Sequence, residues 1–287
     1  MKKIVLTESQ YGRLQTNLLE MTMRSYIFDW DDNILYMPTT IKLDYKTGLG
    51  WVPVDVTTSQ FASIRNNKDF KLRGDDPKIA FADFRASEPF LRDVKQAIDF
   101  RRFAPSADKF KEALIYANPF AINTARGHKP EILKEGVKIF VNLVLSRDEK
   151  KFMLENIRKN LPLSKGLNDE QVIDLYLDEM GEYYPVSSDE FSKRFNLGAS
   201  ASDPEEAKKV AIEHFTKKVF DNTKKLVNSD YKKFSIGFSD DDLGNIRAVE
   251  EFVQNELNKM YPEIHFVVYD TSENGKRKMV IEKEWKI

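Results

Sequence analysis

The chain has 287 residues, enough for one large domain or a core domain with a substantial insertion. Its 41% hydrophobic content suits a globular protein, while a formal net charge of −1 gives no global pull towards nucleic acid or an anionic membrane. With no cysteine, disulfides and Cys-ligated zinc are excluded.

Residues 7–22 carry Tyr11, Leu14, Leu18 and Met21 at helical spacing and predict a short amphipathic helix. Tyr26, Ile27 and Phe28 form an apolar run that predicts a buried strand at about 25–29. Segments 40–44 and 51–56 read as strands of a hairpin turning through 46–50. Helices are expected near 58–65, 88–102 and 106–117, followed by a strand at 119–124. Three more helices follow at 129–145, 148–159 and 168–180, the first with Pro130 in its opening turn, and then a short strand at 183–187. Ser202, Asp203, Pro204, Glu205 and Glu206 make a strong helix start, giving a helix to about 227. A strand at 234–238, a helix at 243–259 and a strand at 264–269 complete the alternation.

Strands alternating with helices imply a parallel sheet. The expected fold is therefore α/β, a doubly wound, Rossmann-like core of residues 1–38 and 105–287 with residues 39–104 inserted. No run of about eighteen apolar residues offers a membrane span. Residues 1–8 turn polar too soon for a signal peptide, so a cytoplasmic protein without a membrane partner is expected.

Three strand ends carry reactive side chains. The first runs into Asp29 and Asp31, spaced so that a continuing strand would aim both carboxylates to one side. Two such carboxylates repel unless a cation or a proton compensates them. An acidic turn after a strand is the bland alternative. The second strand end, Ala121-Ile122-Asn123-Thr124, stops at a hydroxyl, and the third, Phe234 to Phe238, runs into Asp240, Asp241 and Asp242. In parallel α/β sheets ligands bind beyond the carboxyl ends of the strands. His128, His214 and His265 are scattered, so a metal here would be held by oxygen, which favours Mg²⁺.

Asp29-Trp30-Asp31 after a strand, Thr124 after a second, a lysine opening a later helix, and an acidic cluster after a third strand resemble the four motifs of the haloacid dehalogenase (HAD) superfamily of phosphotransferases. The likeness spans Asp29 to Asn245. It implies a HAD-type core with a mobile cap inserted between the first two motifs. It implies Asp29 as nucleophile forming an aspartyl-phosphate, and Asp31 as general acid and base. Thr124 would hydrogen-bond the phosphoryl group, and Lys208 would add fixed positive charge. Mg²⁺ would be held by Asp29, the Asp31 carbonyl and Asp240, with Asp241 joining through water. Lys209 and Lys193 are the other candidates for the lysine.

Asn33 and Trp30 depart from the family pattern, Trp30 reading as a core aromatic or a substrate platform. Arg126 and His128 would touch substrate or cap the following helix. His214 and His265 lie in apolar patterns and read as structural. Within the insertion, Arg65, Lys71, Arg73 and Arg85 are candidates to hold an anionic substrate, each against the simpler reading of a solvated charge. The implied function is a Mg²⁺-dependent phosphatase acting on a small phosphomonoester. The alternatives are a catalytically impaired binding or regulatory protein, and a 3′-phosphatase of nucleic-acid ends, which net charge does not support.

Overall fold

In a computed structural model, residues 22–197, 204–225, 233–272 and 278–282 are described. The helix expected over 7–22 lies outside them but for Thr22, which opens a strand instead, and the Ser202–Asp203 helix start lies outside them too. The strands are Thr22–Phe28 (β1), Ile41–Thr47 (β2), Gly50–Val56 (β3), Phe70–Leu72 (β4), Phe120–Thr124 (β5), Gly181–Pro185 (β6), Lys233–Asp240 (β7), Ile264–Asp270 (β8) and Lys278–Glu282 (β9). The central sheet runs β6-β5-β1-β7-β8-β9. All its pairings are parallel except that of β9, which closes one edge antiparallel to β8. Numbered along the chain, the five parallel strands stand in the order 3-2-1-4-5, that of a doubly wound sheet.

The helices are Thr58–Ile64 (α1), Pro77–Ala80 (α2), Ser87–Asp99 (α3), Ala107–Ile115 (α4), Pro130–Val144 (α5), Arg147–Asn160 (α6), Asp169–Glu179 (α7), Asp189–Arg194 (α8), Pro204–Lys225 (α9) and Leu243–Phe252 (α10). Ser146 and Asn168 open α6 and α7 with capping boxes, as Ser-x-x-Glu and Asn-x-x-Gln spacing dictates. Strand pleating sends alternate residues to opposite faces of the central sheet. Tyr26, Phe28, Phe120 and Ile122 join one buried cluster with α3 to α7, whereas Ile27, Ala121, Ile236 and Phe238 join another with α9 and α10. Burial on both faces explains why these strands read as unbroken apolar runs, and each fully buried Phe contributes about 1.5–3 kcal/mol.

Strands β3-β2-β4 form a separate antiparallel sheet. Its buried residues Ile41, Leu43, Val56 and Phe84 make a small cluster of their own, with Phe61, Phe70 and Phe81 packed against it. The span expected as one insertion, 39–104, thus holds two differently packed regions. Residues 41–84 surround the small sheet, but Phe90, Val94, Ala97 and Ile98 of α3 are buried in the main core. Among the described residues, no helix is long and apolar enough to cross a membrane.

Candidate active site

The strand order reverses between β1 and β7, and the carboxylates gather there. Phe28 pairs with Ser239, and the Asp29 N–H continues the ladder one residue further by donating to the Ser239 carbonyl at 3.0 Å. The chain then turns sharply. Asp32 takes the left-handed conformation (φ 53°), and the Ile34 and Leu35 N–H groups return to the Trp30 carbonyl at 3.0 and 3.3 Å. Asn33, fully buried in this turn, fastens the two strand ends together. Its Nδ2 lies 3.0 Å from the Asp29 carbonyl and 3.2 and 3.0 Å from the carbonyl and hydroxyl of Ser239. The Thr271 hydroxyl completes the clasp, 2.9 Å from Asn33 Oδ1 and 2.8 Å from the Asp240 carbonyl.

Lys208, in the first turns of α9, is buried, and its helix is tied to the sheet by Asn123 Nδ2 donating to the Lys208 carbonyl at 3.2 Å. The Lys208 ammonium lies 2.6 Å from Asp240 Oδ2 and 3.2 Å from Asp29 Oδ1. Lys209 pairs instead with Glu206 at 2.6 Å, and Lys193 is exposed in the last turn of α8. Asp240 is further fixed by Asn245 Nδ2, at 3.0 and 3.1 Å from its two oxygens, and by the Asp242 N–H at 3.0 Å. Asp242, rather than standing in solvent, caps α10 and pairs with Arg65 at 3.1 Å.

Asp29, Asp240 and Asp241 each offer a carboxylate oxygen, and these atoms lie within 4.8 Å of one another. Three carboxylates facing one ammonium leave an excess of negative charge. Burial, opposed by Lys208 and reinforced by Asp240 and Asp31, pushes Asp29 up to about 8. Burial, then Asp240 and Asp29, pushes Asp241 well above its ordinary range. Burial and the attraction of Asp240 and Asp29 compete at Lys208, and the carboxylates win, raising it further. A hard divalent cation such as Mg²⁺ suits this all-oxygen, undercompensated donor set.

Asp31 is committed elsewhere. Arg126, fully buried, donates from Nε to Asp31 Oδ2 and from Nη2 to Asp31 Oδ1, both at 2.7 Å. The guanidinium is sandwiched between Phe84 and Phe90, 4.7 and 4.9 Å from their ring centres. It also donates to the Thr39 hydroxyl at 2.9 Å, which in turn donates to Asp93 Oδ2 at 2.7 Å. His128 Nε2 lies 3.2 Å from Nη1; burial and the Arg126 charge lower His128 to about 4, so its neutral ring accepts this bond. Arg126 was a candidate to touch substrate or cap the following helix, and nothing local in the sequence named Asp31 as its partner.

A cleft of about 390 Å³ opens above Asp29, Thr124, Lys208 and Asp240. Thr124 is buried at its floor. Arg65 and Arg85 reach this cleft from the inserted segment. Lys71 pairs with Asp75, and Arg73 binds Asp55 and the carbonyls of Leu43 and Val54 within the small sheet. Trp30 is fully buried against Phe90 and Phe110, a core aromatic. His214 is half-buried against the Phe195 ring, its Nδ1 2.8 Å from the Tyr184 hydroxyl.

Comparison with protein-family models, curated proteins and solved structures gives no match. What the chain does must therefore be argued from the chemistry of the cleft.

Proposed function

We propose that the chain is a phosphatase that cleaves phosphomonoesters through an aspartyl-phosphate on Asp29, with a HAD-type core and the segment around the small sheet as its cap. The observation that carries the reading is the Lys208 ammonium bridging Asp29 and Asp240 at the floor of the cleft. A carboxylate is a poor nucleophile towards an anionic phosphate unless positive charge is fixed beside it, and Lys208 supplies that charge without reorganisation. Asp29, Asp240 and Asp241 would hold Mg²⁺, with the Asp31 carbonyl added by the resemblance. The ion would neutralise the phosphoryl oxygens.

Asp29 attacks phosphorus while the bond to the leaving oxygen breaks. Thr124 and Lys208 receive the phosphoryl oxygens. Asp31 must protonate the leaving oxygen and later take a proton from the water that attacks the aspartyl-phosphate. With both its oxygens accepting from Arg126, Asp31 must first release one guanidinium bond and take up a proton from solvent before it can donate to the leaving oxygen. That same ion pair favours a second reading, a fold that binds a phosphorylated ligand without turning it over.

Hydrolysis of an aryl phosphate, with and without Mg²⁺, separates the two. A phosphatase shows Mg²⁺-dependent turnover that Asp29→Asn abolishes, a loss of about 10³-fold or more. Absence of turnover in the wild-type chain, with retained Mg²⁺ binding, would favour the binding protein.

A further inference from the structure

The roof of the cleft differs in character from its floor. Below stand carboxylates, a lysine and a hydroxyl; above, the inserted segment contributes Ile41, Phe61, Ala62, Phe81 and Phe84, with Thr58, Arg65 and Arg85 as its polar members. The rings form an edge-to-face row, Phe61 to Phe81 at 5.8 Å and Phe81 to Phe84 at 6.1 Å. Phe84 is buried and already holds the Arg126 guanidinium, whereas Phe61 and Phe81 are half-buried at the cleft. Arg85, exposed at the same wall, has no ion pair among the described residues.

We propose that the cleft takes a phosphomonoester whose leaving group carries a flat aromatic ring, in class a free nucleoside monophosphate. The phosphate sits at Asp29, the base meets Phe61 and Phe81, and Arg85 faces the acceptor edge of the base. This inference rests on the phosphatase reading. A sugar alone would leave the Phe61 and Phe81 faces without an apolar partner and set its hydroxyls against them, at the cost of their hydration. A ring gains from edge-to-face and offset contacts, about 0.5–1.5 kcal/mol per aromatic pair beyond burial.

Bridges on both sides of Asp29 favour a free nucleotide over the end of a nucleic-acid strand. Strands β5 and β7 flank β1. Beyond β7, Arg65 joins Asp242 at 3.1 Å. Beyond β5, the Gly127 N–H donates to the Phe84 carbonyl at 3.0 Å. A nucleic-acid strand continuing past either of these sides would have to break the contact there, whereas a mononucleotide fits between them.

With Mg²⁺ present, kcat/KM is measured for adenosine 5′-monophosphate, ribose 5-phosphate, acetyl phosphate and a 5′-phosphorylated oligonucleotide. The first should exceed the second by roughly tenfold or more, since ribose 5-phosphate carries a hydroxyl where the nucleotide carries its base. Phe81→Ala, and Phe81→Leu in case the smaller side chain loosens the segment, should each pull that ratio towards one. A ratio near one in the wild type, a ratio untouched by both variants, or a preference for the oligonucleotide would overturn the substrate class while leaving a phosphatase. Absence of turnover on every ester would overturn the phosphatase reading itself. Titration calorimetry of Asp29→Asn then still decides the class: roughly tenfold tighter binding of the nucleotide than of ribose 5-phosphate sustains it, and equal binding overturns it.

Discussion

Asn33 holds together the two strand ends that carry the carboxylates, with its amide in contact with Asp29, Ser239 and Thr271. Asn33→Val would leave those buried groups short of partners, a loss of about 1–3 kcal/mol in urea unfolding; unchanged stability would contradict this role. His128 gives a pH test of the Arg126 cluster. Its folded pKa is about 4 against an ordinary value of 6.5, so between these values the unfolded chain binds more protons. The stability from the neutral ring is complete above about pH 6.5 and is lost as pH falls through about 4. Urea unfolding from pH 7 down to 5 should therefore show the wild type losing stability more steeply than His128→Gln; parallel profiles would be the contrary result. At this scale Asp29 and Asp240 were legible because acids after buried strands stand out locally, whereas Lys208 came only through the resemblance, with Lys209 and Lys193 beside it as candidates. The Asp31–Arg126 pair was not legible, since it joins residues 95 apart through the sheet.

Helix α5 shows packing overriding propensity. Alanine at Gly136 would favour the helix by about 1 kcal/mol in isolation. In place, its Cβ would stand 2.8 Å from Phe90 Cε1 and 3.0 Å from Phe90 Cζ. Overpacking of this kind costs about 1–3 kcal/mol, and Phe90 is one of the two rings that hold Arg126. Gly136→Ala should lower the Tm; a rise would mean that α3 and α5 have room to move apart. Most elements could be read from sequence because an apolar run or helical stripe marks each one. Strand β6 begins at Gly181, two residues before the expected start, since a glycine there reads as a turn. A Cβ at Gly181 would meet the Leu177 carbonyl oxygen at 2.6 Å, so close approach selects that glycine. Strand β4, three residues long, carries no such pattern and went unread, and β9 went unread although Met279, Val280 and Ile281 make an apolar run.

Over the whole molecule, doubly wound order brings the ends of β1 and β7 side by side, which makes Asp29 and Asp240 neighbours across 211 residues of chain. Strand–helix alternation foretold a parallel sheet, but strand order and the antiparallel edge follow from pairings that no single segment encodes. The inserted span likewise read as one texture, although Phe90, Val94, Ala97 and Ile98 belong to the core. On the proposed reading, the whole arrangement serves to direct one carboxylate, Asp29, at a phosphoryl group in the cleft. The most direct test is to acid-quench the protein during turnover of an aryl phosphate with Mg²⁺ and map phosphorylated peptides by mass spectrometry. A single phosphoryl group on Asp29, absent without Mg²⁺, is the predicted result. Turnover with no phosphorylated Asp29, or with the label on another residue, would contradict the account.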